Sequence, residues 1–173
     1  MGQHISKYSS IHISFTSFLT VSKGVHMVDQ VRYYLSILLL ENDAKTWDSL
    51  DPDTKTLVSR LVRRFIEEIL RSNKPYAAQI GTVMRRLIRD NVVNEYTFYK
   101  SLILRRNTLA LQFIYQSLLK DGKASRQKNP DKVREQISQT LSDVRNLFYS
   151  DWRNRVAIKK IQKKLNSSYS FTE

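Results

Sequence analysis

The sequence predicts an all-α protein, a single bundle of five to six helices gathered around a central helix at 95–120. Three observations carry this expectation. In the stretch 96–120, YTFYKSLILRRNTLALQFIYQSLLK, a step of 100° per residue puts Phe98, Leu102, Ile103, Leu109, Ala110, Phe113 and Ile114 on one broad arc. Leu104, Leu111, Tyr115 and Leu118 fall across the axis, and a helix apolar on two sides is packed on two sides. Second, Leu57, Val58, Leu61, Val62, Phe65, Ile66, Ile69 and Leu70 recur in pairs four apart. Third, the helical segments run almost to the C-terminus with no strand-like segment after them. A chain of 173 residues suffices for one domain with a real core and is short for two.

In chain order, 1–26 is a leader without Asp or Glu, rich in Ser and Thr, with a strand-like alternation at Ile11, Ile13 and Phe15. Its opening, from Gly2 to Ser6 and Lys7, satisfies the myristoylation pattern, which makes Gly2 the lipidation candidate. An organellar transit segment is a second reading, favoured by the lack of acids and opposed by the lack of arginine. A disordered or untranslated extension with Met27 as the working start is a third, because helical periodicity begins at Met27.

The segment 27–41 reads as a helix carrying Val31, Tyr34, Leu35, Ile37 and Leu38, and 42–53 as an acidic loop around Trp47. Asp51, Pro52 and Asp53 then supply a cap, a proline in the first turn and a first-turn acid. The helix that follows is apolar on one face only and is expected on a surface, with Arg63–Glu67, Arg64–Glu68 and Glu67–Arg71 pairs on its other face. Ser72 to Pro75 breaks it. A third helix buries Ile80, Val83, Met84, Leu87 and Ile88 and turns Arg85, Arg86 and Arg89 outward.

Asn94 is the expected N-cap of the central helix and Gly122 its expected stop. Residues 121–129 form a basic polar loop, and Asn129-Pro130 restarts a helix running to about Leu165 through Val133, Ile137, Leu141, Val144, Phe148, Trp152 and Val156, with a bend near Ser150-Asp151. The tail 166–173 is expected to fray.

The formal net charge is +13 and is unevenly spread: 1–56 hold five Lys/Arg against six Asp/Glu, and 57–173 hold twenty-four against ten. A basic helical body favours nucleic acid, anionic lipid or an acidic protein partner. Cysteine is absent, which excludes disulfides and thiolate metal sites. His4, His12 and His26 all lie in the leader without ligand spacing, the four glycines form no phosphate loop, and no nucleophile in the body has a histidine to activate it. The expectation is a non-enzymatic binding or assembly protein with no cofactor, metal or small-molecule substrate.

Arg85, Arg86 and Arg89, with only Asp90 near, and Lys159, Lys160, Lys163 and Lys164 in the basic run 153–164 are the candidates for phosphates or an acidic partner. Ile158, Ile161 and Leu165 give that run a narrow apolar seam, which suits an anionic membrane, a phosphate track or an ordinary solvated face. A free-standing RNA- or DNA-binding module has the charge but lacks exposed aromatics, since Phe98, Phe113, Phe148 and Trp152 sit at core spacing. Arg106 falls inside the apolar arc of the central helix; either its stem lies on the core with its head in solvent, or it pairs across a subunit interface.

Phe65-Ile66-Glu67-Glu68-Ile69, Arg105-Arg106-Asn107-Thr108-Leu109-Ala110 and Phe148-Tyr149-Ser150-Asp151-Trp152-Arg153 follow in an order and spacing that resembles the helical domains of GINS subunits, components of a four-subunit assembly serving the replicative helicase. The likeness spans 57–157 and is to the subunit that begins with its helical domain; the small β-rich domain usual in these subunits has no counterpart here. It implies a nuclear, non-enzymatic scaffold of DNA replication with other helical subunits as partners, and Arg105, Arg106, Phe148 and Trp152 at subunit contacts. The rival expectation is a myristoylated basic protein on the cytoplasmic face of a membrane, similar to viral matrix proteins in broad plan, with the basic run as the second signal that one acyl chain requires.

Overall fold

In the computed structural model the described residues are 27–120 and 129–170, with side chains described over 30–120 and 129–167. The leader with Gly2 and the three histidines, the loop 121–128 with Gly122, and 171–173 lie outside them. Among the described residues the protein is all-α: α1 Met27–Ser49, α2 Pro52–Arg71, α3 Ala77–Arg89, α4 Glu95–Phe98, a π-helical segment Tyr99–Ile103, α5 Leu109–Lys120, α6 Pro130–Ser150 and α7 Trp152–Ser170. That is seven α-helices rather than five or six, because two of the expected rods are each cut in two.

The chain divides into two compact units, one ending at Ser49 and one beginning at Leu50. The first is represented by α1, which runs through the acidic segment expected to be a loop around Trp47. Ile37, Leu40, Asp43 and Ala44 are buried, whereas Val31, Tyr34, Leu35, Leu38 and Leu39 are exposed.

The second unit is organised around α2, not around 95–120. The Asp51 side chain accepts the Thr54 N–H at 3.1 Å and the Thr54 hydroxyl at 2.5 Å, and Pro52 opens the helix where its missing N–H costs nothing. Those hydrogen bonds from Thr54 hold the Asp51 carboxyl below its usual pKa. Thr54, Val58, Leu61, Val62, Phe65, Ile66 and Ile69 are buried along one face. α3, α4, the π segment, α6 and α7 all pack on this helix. α3 comes close enough that a β-carbon at Gly81 would stand 2.5 Å from Leu70 Cδ2. The Phe65 and Phe148 rings meet edge to face with centroids 5.3 Å apart, joining α2 to α6. The Arg63–Glu67, Arg64–Glu68 and Glu67–Arg71 pairs expected on its outer face are absent among the described residues.

The expected helix 95–120 starts where predicted: Asn94 Oδ1 accepts the Thr97 N–H at 2.8 Å. It then widens and ends. The Leu104 N–H reaches back to the Tyr99 carbonyl at 2.9 Å, Arg106 N–H to the Lys100 carbonyl at 2.8 Å, and Arg105 adopts a left-handed φ of 57°. The new helix is started by one side chain of the π segment and one of the connection that follows it. Asn107 Oδ1 accepts the Leu109 N–H at 3.2 Å and the Ser101 hydroxyl, while Ser101 Oγ accepts the Ala110 N–H at 3.3 Å. On the other side of the break, the Leu102 carbonyl accepts from Arg145 Nη1 at 3.2 Å and the Ile103 carbonyl accepts from the Tyr149 hydroxyl, both from α6. A cation and a hydroxyl thus satisfy carbonyls that the interrupted helix leaves without partners.

Tyr99 sits fully buried beside this break, and among the described residues its hydroxyl has no hydrogen-bond partner. Burial pushes its phenol pKa well above the ordinary value, partly offset by the Arg106 charge. An unfolded phenol releases its proton near pH 10 while the folded one keeps it. The unfolded state then binds fewer protons, so stability falls as the pH climbs above about 10. Tyr99→Phe is expected to flatten that decline and, by removing an unpartnered polar group, to raise stability at pH 8 by about 1 kcal/mol. Urea unfolding at pH 8 and pH 10.5 measures both, and a less stable variant at pH 8 would mean the hydroxyl is bonded.

Candidate nucleic-acid interface

The expected helix 130–165 is two helices. Asn129 Oδ1 starts α6 by accepting the Asp131 and Lys132 N–H groups. At its end Asp151 turns the chain: its N–H bonds the Phe148 carbonyl at 3.4 Å, its carboxylate accepts the Arg153 N–H at 3.0 Å, and its carbonyl accepts the Asn154 N–H at 3.1 Å. The buried Asn154 amide donates to the Phe148 carbonyl at 2.8 Å, closing the junction. α7 begins with a new rotational phase, so the spacing that carries Val144 and Phe148 into the core no longer applies past Ser150.

The consequence falls on Trp152. It was expected in the core and is 62% exposed, as Val156 is at 45%. Counting 100° per residue along α7, Trp152, Val156, Lys159, Lys160 and Lys163 lie within one arc of about 100°. Across the axis Asn154, Ile161 and Leu165 are buried, with Ile158 half-buried. The apolar seam is therefore used within the fold, where α7 packs on α2, and is not offered to a bilayer.

α7 carries six basic side chains and no acidic one. Their surroundings sort them. Lys164 lies 3.8 Å from Asp51 and 3.9 Å from Asp53, tying α7 to the start of α2. Arg153 stands 3.9 Å from Asp151, and Arg155 donates to the Tyr149 carbonyl. Lys159, Lys160 and Lys163 have no ion-pair partner among the described residues. An exposed indole and three unpaired ammonium groups along one solvent face combine a stacking surface with a phosphate track.

The remaining candidates are dispersed. Phe148 is a core residue, 2% exposed, so it offers nothing to another subunit. Arg106 is exposed, and its Nη2 donates to Gln162 Oε1 on α7 at 3.2 Å. Arg105 is exposed at the helix break. Arg85 and Arg89 line a cleft of about 410 Å³ with Arg63, Glu67 and Glu95, and Arg89 bonds Asp90 at 3.0 Å. Arg86 is half-buried. Arg85 and Arg89 are exposed.

Sequence reasoning missed the residues that fix the two breaks: Ser101, Asn107, Arg145, Tyr149 and Asn154. Two signals were available. Asn107-Thr108 are cap-forming types inside an otherwise periodic run, and Arg145 falls within the arc of Leu141, Val144 and Phe148. No protein-family model matches this chain, and neither a curated protein nor a solved structure matches it. Among the described residues no helix is long and apolar enough to cross a membrane, and no group of His, Asp or Glu is placed to hold a metal ion.

Proposed function

We propose that this chain is a non-enzymatic assembly subunit of a nucleic-acid-associated complex, and that α7 is the element that meets the nucleic acid. The observation that carries the reading is the exposed Trp152 sharing a face with Lys159, Lys160 and Lys163. Aromatic surface was the component missing from the nucleic-acid expectation, and its presence beside unpaired lysines supplies it. The exposed apolar residues of α1 support the assembly half of the reading, since such surface on a helix commonly meets other proteins. The resemblance to GINS helical domains points to the same class, with helical partner subunits and a nuclear site of action. The membrane alternative rests on Gly2 and the seam of α7; the seam is buried and Gly2 lies outside the described residues.

Anisotropy titration of a labelled single-stranded oligonucleotide tests it. Trp152→Ala is expected to weaken binding by about 1–3 kcal/mol if the indole stacks on a base. Lys159→Ala and Lys163→Ala should each weaken binding evenly across sequences and reduce the slope of log K against log salt by roughly one. All three positions are exposed, so melting temperatures should stay at the wild-type value. Binding that ignores salt and all three substitutions, or association with anionic vesicles but no oligonucleotide, overturns the reading.

A further inference from the structure

The helix break and α6 enclose a second basic feature, separate from α7. A cleft of about 180 Å³ is lined by Arg105, Arg145, Thr108, Ser138 and Ser142, together with Ser101, Asn107 and three leucines; none of the ten is acidic. Arg145 is 7% exposed and has no carboxylate partner among the described residues. Its one hydrogen bond among the described residues, from Nη1 to the Leu102 carbonyl, uses one of the five donors of the guanidinium. None of its side-chain nitrogens is both fully enclosed and unbonded, and the residue lines the cleft. The nearby carboxylate on α6, Asp143, is already held by Lys74 at 3.6 Å and by the Gln139 amide at 2.9 Å.

A guanidinium this deep without a counter-ion is costly, and a second guanidinium on the same cleft adds repulsion. Burial first and the Arg105 charge second push the Arg145 pKa down. An anion relieves both costs. Two guanidinium forks with hydroxyls from Thr108 and Ser142 match a tetrahedral oxyanion of charge near −2 better than a carboxylate. The volume is below the roughly 300–1,000 Å³ of clefts that enclose drug-sized ligands, so the group is small.

We propose that the Arg105–Arg145 cleft binds a phosphate monoester group or inorganic phosphate. Arg105→Gly is the cleanest test, because a left-handed φ of 57° suits glycine and the variant removes one fork while keeping the turn. The full chain is melted in sodium phosphate and in sodium chloride at matched pH and ionic strength. The expected result is a saturable rise in Tm of about 5–10 °C at a phosphate concentration roughly a hundred times Kd, absent in Arg105→Gly and reduced in Ser142→Ala. An equal rise in wild type and Arg105→Gly is general exclusion of phosphate from the protein surface and overturns the proposal, as does no rise in either. A 5′-phosphorylated oligonucleotide that binds tighter than its unphosphorylated twin, in wild type but not in Arg105→Gly, assigns the group to a nucleic-acid end. Equal binding of the two alongside the phosphate-dependent melting shift assigns it to a free or small-molecule phosphate. Because Trp152, Lys159 and Lys163 are untouched, failure here leaves the α7 reading intact.

Discussion

Leu109→Asp is expected to leave the second unit unfolded at 25 °C. Leu109 is 3% exposed and stands at the first position of α5, immediately after the break. Two effects oppose each other there. A carboxylate in the first turn of a helix interacts favourably with the free N–H groups, by about 0.3–1 kcal/mol. Against this stand the loss of a buried leucine side chain, about 2–5 kcal/mol, and several kcal/mol for an ion taken from water without a partner. The sum exceeds the dipole gain several-fold and approaches the whole stability of an ordinary domain, about 5–15 kcal/mol. Circular dichroism should show a loss of the cooperative melt at pH 7. Partial recovery is expected near pH 4, where the introduced carboxyl is neutralised. A wild-type melting curve at pH 7 would mean that Leu109 is not in the interior.

The all-α class, the starts at Asp51, Asn94 and Asn129, and the core positions of α2 and α3 were legible in the sequence because each rests on local chemistry: a cap, a first-turn proline, a period of 3.6. The break inside 95–120 was not legible, and the one at Ser150-Asp151 was legible only as a bend, without the change of phase that follows it. Periodicity extrapolates through any residue that keeps its spacing, and Leu104 and Trp152 both keep it. What ends the helices is tertiary: Arg145 and Tyr149 take the carbonyls of the π segment from 40 or more residues away, and Asn154 folds back on Phe148. α1 was under-read for the opposite reason, since the acids around Trp47 suggested a loop while the helix simply continues.

The two breaks bear directly on the candidate site. The basic run of α7 was visible from composition, but whether it offers bases anything to stack on depended on the phase of Trp152, which the turn at Asp151 sets. Likewise Arg105 and Arg106, adjacent in sequence, part at the break: one lines the cleft against α6 and the other reaches α7. A straight rod would have given both to a single face or interface. The interruption gives them different neighbours.

Phe148 and Trp152 lie four residues apart and were expected to act together, yet substitution should separate them completely. Phe148→Ala removes a ring that is 2% exposed and meets Phe65 edge to face, in the seam where α6 closes on α2. The cost of such a deletion is about 3–5 kcal/mol, from lost transfer energy and from a cavity that the helices around it cannot fully close. For a domain of this size each kcal/mol lowers Tm by roughly 2–8 °C, so a fall of well over 6 °C is expected in thermal melts. Trp152→Ala leaves most of its former surface in water on both sides of the comparison, and its Tm should move within the small range typical of exposed positions. Oligonucleotide affinity reverses the order. At temperatures where Phe148→Ala remains folded it should bind as wild type does, because α7 keeps its lysines and its indole, while Trp152→Ala loses affinity without losing stability. If instead Phe148→Ala melts like wild type, α6 does not close on α2 through this ring, and the turn that sets the phase of α7 loses the anchor that precedes it.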